Sequence, residues 1–235
     1  MEKLKMIYEG KAKKVYETGK EDQIIIEYKD DATAFDGEKK GQIVGKGRLN
    51  AEITTIFFDL LAEQGIPTHH ISKLGEREIL ARKLDIILIE VVIRNIVAGS
   101  LTKRLGLAEG SELKEPILEF YYKSDELGDP LINEYHIRAE ELATEEELAE
   151  IKGLSFKINS ILVDFLADKG IDLVDFKLEF GKGSDDKLYL GDEISPDNCR
   201  LWDSKSKKKL DKDRFRRDLG EVESAYQEIL KRLKE

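Results

Sequence analysis

The chain has 235 residues, 40% hydrophobic and 37% charged, with a net charge of −10. That is enough apolar material for one large domain or for two lobes with a cleft between them. So acidic a balance disfavours non-specific binding to nucleic acid or to anionic membranes, both of which require a basic face.

The single Cys199 excludes an internal disulfide and suits a reducing compartment, and three histidines with one cysteine are too few for a zinc site of ordinary spacing. Met1 to Gly10 lacks the apolar core of a signal peptide, and the longest apolar run, Ile86 to Ile89, is too short to cross a bilayer. A cytoplasmic protein with neither nucleic-acid nor membrane partners is expected.

In chain order, Met6 to Glu9, Lys14 to Glu17 and Ile24 to Tyr28 read as strands. Between the first two lies Gly10-Lys11-Ala12-Lys13, a glycine turn with two lysines one residue apart. Such a turn suits a polyphosphate, which needs several donors and positive charge; the same residues also describe an ordinary solvated turn. Asp30 to Gly47 is polar and glycine-rich and reads as a long loop. Its Gly41 to Gly47 fails as a P-loop, because the first glycine stands one position too late and no Ser or Thr follows Lys46. Leu49, Ile53, Ile56, Phe57, Leu60 and Leu61 have helical spacing, ended by Gly65 and Pro67, and His69-His70 follow as a loop pair.

Ile79 to Ile93 reads as one strand buried on both faces, with Glu90 and Arg94 as charges near its end, where Glu90 is the ordinary structural partner for Arg94. Arg94 with Ala98-Gly99-Ser100, opening a short helix, makes a candidate phosphate cradle. Phe120 to Lys123 is a strand and Asp125 to Pro130 a turn. Thr144 and Glu147 form a capping box for a helix ending at Gly170. A final amphipathic helix carries Phe215, Leu219, Val222, Tyr226, Ile229 and Leu233.

The densest chemistry lies between these last helices. In Leu173 to Gly181 the even positions are Val174, Phe176, Leu178 and Phe180, and the odd ones Asp175, Lys177 and Glu179. Period two places the charges on one face of a strand and the apolar side chains on the other. A turn at Gly181 to Asp186 and a second strand, Lys187 to Leu190, lead into Gly191-Asp192-Glu193 and Ser195-Pro196-Asp197. Five carboxylates and one lysine fall on two short arms; like charges so close repel unless a cation sits among them, and oxygen-rich clusters suit Mg²⁺. Alternation from Leu188 and Leu190 would turn Asp192 to the apolar side, unless Gly191 permits a bulge that re-aims it.

Taken together, Glu9 to Lys13, Ile93-Arg94-Asn95 through Ser100, Leu173 to Gly181, Gly191 to Asp197 and Asp211 to Arg216 resemble the SAICAR synthetase family over essentially the whole length. Two departures are Leu88, where the family usually has proline, and Cys199, where serine is common. The resemblance implies an α+β, two-lobed fold related to ATP-grasp and kinase-like folds. A strand-rich N-terminal lobe over residues 1–84 would cover the nucleotide, and a larger α/β lobe over 85–235 would carry the metal and ribonucleotide sites. It implies an ATP-dependent ligase that joins L-aspartate to the carboxylate of carboxyaminoimidazole ribonucleotide in purine biosynthesis, and a homodimer.

By the same resemblance Lys11, Ala12, Lys13 and Lys123 would hold ATP phosphates. Val15, Ile24, Leu84, Ile86 and Leu178 would sandwich the adenine, with backbone from Arg82 to Leu84 reading its edge. Glu179, Asp192 and Asp129 would carry Mg²⁺, and Lys177 would neutralise the transferring group, with Asp36 a further candidate on the substrate side. Arg94, Ser100 and Arg200 would bind the ribonucleotide phosphate, with Asp197 nearby. The rival reading is a small-molecule kinase of the same fold, because Asp175-x-Lys177 followed by Gly181 also resembles the metal and phosphate motif of inositol polyphosphate kinases.

Overall fold

The structure, a computed structural model, describes residues 1–34 and 39–235. Strands β1 (Met6–Glu9), β2 (Lys13–Glu17) and β3 (Gln23–Tyr28) form an antiparallel meander, followed by a small hairpin of β4 (Asp31–Ala34) and β5 (Lys39–Gln42). The stretch expected as loop is therefore partly a two-stranded ribbon, whose ladder needs only backbone groups and no apolar pattern. Helix α1 (Lys46–Glu63) leaves a left-handed Gly45, φ 80°. Its Gly47 abuts β3 so closely that a Cβ there would stand 2.5 Å from the Tyr28 carbonyl oxygen.

Next come β6 (His70–Lys73) and β7 (Glu78–Arg82), which complete the first sheet in the order β1-β2-β3-β7-β6. His70 thus opens a strand, where the sequence suggested a loop, and both His69 and His70 pack edge-on against Phe58. The long apolar run proves to be two strands in two sheets. The chain leaves the first sheet at Lys83 and Leu84 and enters the second as β8 (Asp85–Ile96). Nor is that run buried on both faces: Leu88 is exposed and Ile86 half-buried, because one side of β8 borders an open cleft.

After α2 (Ser100–Leu105) come β9 (Glu112–Tyr122), β10 (Leu131–Ile132), α3 (Glu134–Ala139) and α4 (Glu145–Asp168). Thr144 caps α4, accepting from the Glu147 amide at 3.1 Å, while Glu147 accepts from the Thr144 amide at 2.8 Å. The chain then forms β11 (Ile171–Lys182), β12 (Leu188–Leu190) and β13 (Cys199–Asp203). The second sheet runs β10-β9-β8-β11, with β12 and β13 sharing the far edge of β11, all antiparallel. One face of this sheet carries the main core, in which Phe176, Leu178 and Phe180 meet Ile151, Ile158 and Leu162 of α4 and Leu49, Ile53 and Phe57 of α1.

The closing helix is two helices, α5 (Asp213–Arg216) and α6 (Val222–Lys234). Between them Asp218, Gly220 and Glu221 all take positive φ, and the buried Arg214 side chain donates to the carbonyls of Leu219 and Gly220 at 3.0 and 2.7 Å. Beneath the cleft the two sheets are joined through one residue. The Leu190 carbonyl accepts from the His69 amide at 2.8 Å, and the Leu190 amide donates to the Pro67 carbonyl at 2.9 Å.

Candidate active site

Alternation along β11 sends Asp175, Lys177 and Glu179 to the cleft side and Phe176, Leu178 and Phe180 to the core. Val174 departs from it. It packs with Ala98 and Trp202, because the pairing with β13 shifts register between Leu173 and Asp175. Leu178, expected against the adenine, lies instead wholly within the core, since its parity is that of Phe176.

Lys177 is the hub. Its ammonium group donates to Glu90 Oε1 at 2.7 Å and to Glu179 Oε1 at 2.5 Å, and lies 3.7 Å from Asp192 Oδ2. Glu90 and Glu179 stand directly opposite each other on β8 and β11, a repulsive pairing that Lys177 relieves. Glu90 is thus the partner of Lys177 and not of Arg94. Asp192 reaches the cluster without a bulge in β12. That strand ends at Leu190, the Gly191 amide donates to the Glu179 carbonyl at 2.8 Å, and Asp192 takes a left-handed φ of 56° that swings its carboxylate over the charged face.

From the other sheet the Gly10 turn reaches across. Lys13 pairs with Asp192 and, at 3.0 Å, with Glu193, while Lys11 contacts Asp125 at 2.7 Å nearer the surface. Lys123 donates to Glu179 at 3.0 Å. Burial opposes charge on Asp192, yet the Lys13 and Lys177 ammonium groups outweigh it and hold the carboxyl well below the usual range. Burial likewise opposes charge on Lys177, but Glu179, Asp192 and Glu90 keep it protonated far above ordinary pH. Glu90 is pushed up by burial, against the pull of Lys177.

These groups close one end of a cavity of about 550 Å³ whose other end is apolar, lined by Val15, Ile24, Leu84 and Ile86, with Ala12 and Arg82 on its wall. Asp129 lies apart from Glu179 and Asp192, in an adjoining hollow of about 960 Å³ that also holds Lys11, Glu90, Lys123 and Asp125. Its Oδ1 accepts from the Ser124 amide at 2.9 Å. Asp36 lies outside the described residues.

A third hollow, about 340 Å³, continues from Lys177, Asp192 and Glu193 to Arg94, Asp175, Asp197 and Arg200. Asp175 sets the two arginines side by side, accepting from Arg94 at 3.0 Å and from Arg200 at 2.8 Å. Glu119 accepts from the Arg94 Nε at 2.7 Å, Asp213 from the Arg200 Nε at 3.0 Å, and Ser100 Oγ accepts from Arg94 at 3.2 Å. Gly99 leaves the space for this arrangement: a Cβ there would lie 2.6 Å from an Arg200 nitrogen. Asp197 is buried and fully engaged, by Lys46 at 2.6 Å and by the Tyr226 hydroxyl at 2.7 Å.

Among the described residues no group of three His, Cys, Asp or Glu side chains is arranged as a metal cage. The pair Glu179 and Asp192 nevertheless fits Mg²⁺, which takes one or two carboxylates and fills its remaining positions with water and phosphate oxygens. Four carboxylates (Glu90, Glu179, Asp192, Glu193) against three ammonium groups (Lys13, Lys123, Lys177) leave the cluster with surplus negative charge.

Residues 6–233 match the family described as SAICAR synthetase. The chain belongs to the SAICAR synthetase family. It is 60% identical over 235 residues, the full length of both chains, to a phosphoribosylaminoimidazole-succinocarboxamide synthase of Caldanaerobacter subterraneus subsp. tengcongensis. The crystal structure of the synthase from Ehrlichia chaffeensis superposes with a TM-score of 0.96 at 49% identity, covering 98% of each chain. A SAICAR synthetase described in complex with ADP gives 0.94 at 55% identity, covering 96% of each. The kinase alternative finds no support in these relatives, which are synthases over their whole length. From sequence alone Glu90 had only a structural pairing with Arg94, Glu193 only a place in the carboxylate cluster, and Lys46 no role. Glu193 was visible only as part of an acidic run, and Lys46, buried in a glycine-rich stretch of the kind usually found at the surface, offered no signal.

Proposed function

We propose that the cleft performs the ATP-dependent joining of L-aspartate to the carboxylate of carboxyaminoimidazole ribonucleotide. The observation that carries this reading is the continuity of the three hollows. A half-apolar cavity ends at Lys13, Lys123 and Lys177, and across the same Lys177 lies a pair of arginines. A 55% identical SAICAR synthetase is described in complex with ADP, which supports a nucleotide as ligand, and the first hollow has the apolar and cationic ends that a nucleotide needs.

A carboxylate does not react with an amine at neutral pH, so ATP must first phosphorylate it, and the amine of aspartate then displaces phosphate from the acyl phosphate. No side chain need act as nucleophile; positioning and charge supply the rate. Lys11, Lys13 and Lys123 bind the phosphates. Lys177, permanently charged, stands where the γ-phosphoryl group passes and neutralises it. Val15, Ile24, Leu84 and Ile86 hold the base, while Arg94, Ser100 and Arg200 hold the ribonucleotide phosphate and so aim its carboxylate at the phosphoryl group. The Gly10 turn keeps water from the acyl phosphate. Glu179 and Asp192 would hold Mg²⁺, which supplies charge neutralisation at the phosphates, and Asp129 is a second candidate ligand.

A division into a nucleotide-covering part, 1–84, and a larger part, 85–235, belongs to this reading, as do a homodimer and a cytoplasmic location; no described helix is long and apolar enough to cross a membrane. In an ADP-release assay, turnover should require the aminoimidazole carboxylate and aspartate together. ADP release with a polyol and without aspartate would replace the ligase by a kinase.

A further inference from the structure

Asp192 and Glu193 are neighbours in the chain and both reach Lys13, yet they are held in opposite ways. Asp192 is the more open, its side chain 22% exposed against 6% for Glu193. Each Asp192 oxygen faces an ammonium group: Oδ1 accepts from Lys13, and Oδ2 lies 3.7 Å from Lys177. Glu193 is fixed from behind. Its Oε2 accepts from the Ser195 hydroxyl at 2.6 Å, and that hydroxyl accepts from the Asp197 amide at 3.1 Å. The Glu193 carbonyl accepts from the Asn198 side-chain amide at 2.5 Å, and Asn198 Oδ1 accepts from the Ser195 amide at 2.9 Å. Ser195 is wholly buried, so water does not compete for these bonds. The remaining oxygen of Glu193, Oε1, stands 3.0 Å from the Lys13 ammonium group.

A cation and an ammonium group compete for the same carboxylate oxygens. With Asp192 given over to Mg²⁺, Lys13 loses its closer partner, and its flexible four-carbon stem does not by itself hold the charge in place. Glu193 is the carboxylate left to it. We propose that Glu193 is a positioning residue, which keeps the Lys13 ammonium group at the phosphate end of the cavity when Asp192 turns to the cation. The two adjacent carboxylates thus divide between metal and lysine. Ser195 belongs to the same device, because without its hydroxyl the Glu193 carboxylate is free to swivel. The inference rests on the reading above, in which Lys13 binds phosphate and Asp192 holds Mg²⁺.

Calorimetric titration of the full chain with ADP, in Mg²⁺ or in EDTA, tests it without requiring turnover. The quantity read is the gain in ADP affinity that Mg²⁺ brings. In Glu193→Gln, Lys13 has only Asp192 to pair with and contests it with the cation, so the gain should shrink several-fold, while binding in EDTA should be no weaker. Ser195→Ala should shrink the gain in the same direction by less. In a Lys13→Met background, Glu193→Gln should change the gain by less than twofold, because its effect runs through Lys13. An undiminished gain in Glu193→Gln overturns the proposal. So does a loss of the same size in the Lys13→Met background, which would make Glu193 a metal ligand or a purely structural group. Should thermal melts show Glu193→Gln unfolded, an unchanged gain in Ser195→Ala overturns the proposal in its place. Absence of any Mg²⁺ gain in the wild type would withdraw the cation from Asp192 and the proposal with it. A wild-type gain that Glu193→Gln leaves intact would sink the proposal alone and leave the reading of the cleft standing.

Discussion

Replacing Lys177 by methionine would leave Glu90, Glu179 and Asp192 gathered around an apolar stem. The expected loss in turnover is about a hundredfold or more, the scale on which a preorganised charge at a transferring group contributes. Lys177→Arg should recover little, because a wide planar guanidinium cannot sit among three carboxylates spaced for one ammonium nitrogen. ADP release at saturating substrates measures both, and turnover within threefold of wild type in Lys177→Met would remove Lys177 from the reaction. The facing of Asp175, Lys177 and Glu179 was legible in the sequence because strand parity is a local property. The aim of Asp192 was not, since it depends on a left-handed φ just past the strand end, which side-chain alternation does not signal. His69 was illegible for a different reason: a neighbouring histidine and a preceding proline suggest a loop, and only the adjacent sheet shows that the ring is enclosed.

At the level of elements, the turn between β8 and α2 is the most constrained part of the hollow proposed for the ribonucleotide. Gly99 has φ 55° and ψ −132°, a conformation essentially restricted to glycine, and its α-carbon faces the Arg200 guanidinium. Gly99→Ala should therefore displace Arg200 and raise KM for the ribonucleotide about tenfold or more while leaving KM for ATP within twofold, a loss matching the roughly 1–3 kcal/mol of an overpacked contact. Equal changes in the two KM values would mean that the arginine pair does not serve the ribonucleotide alone. Element existence was largely readable here: the capping box of α4 and the strands of the first meander follow from pattern. The breaks were not. Lys83-Leu84 separates two sheets without glycine or proline, and α5 stops at Arg216, after which the side chain of the buried Arg214 binds the carbonyls of Leu219 and Gly220 where the apolar spacing implied a continuous helix.

For the whole molecule, pH acts through carboxyls of opposite habit. Asp211 accepts from the amides of Leu201 and Asp213 at 2.9 and 2.7 Å; burial and the nearby Asp213 carboxylate push it up from an ordinary 3.8 to about 7. It binds its proton more tightly in the folded chain, so its contribution is complete below about pH 4 and fades as pH rises through 7. Asp192 and Asp197 lie below the usual range, and their contribution is present above about pH 4 and lost as acid protonates them. Thermal melts of wild type and Asp211→Asn should therefore converge as pH rises from 5 to 8, the variant starting lower because the amide forgoes one acceptor. Parallel curves would show that Asp211 does not titrate in that interval.

Leu190, whose amide and carbonyl both bind the short segment from Pro67 to His69, makes the floor of the half-apolar cavity a seam. The base end is stitched in place, and entry of ATP has to part the opposite rim, where the outermost strands reach the larger sheet through the lysines of the Gly10 turn. Those contacts are ionic, the Lys11 one near the surface, and dissolved salt loosens such ties. Ionic strength should accordingly govern how fast the nucleotide comes and goes more than how its base is recognised.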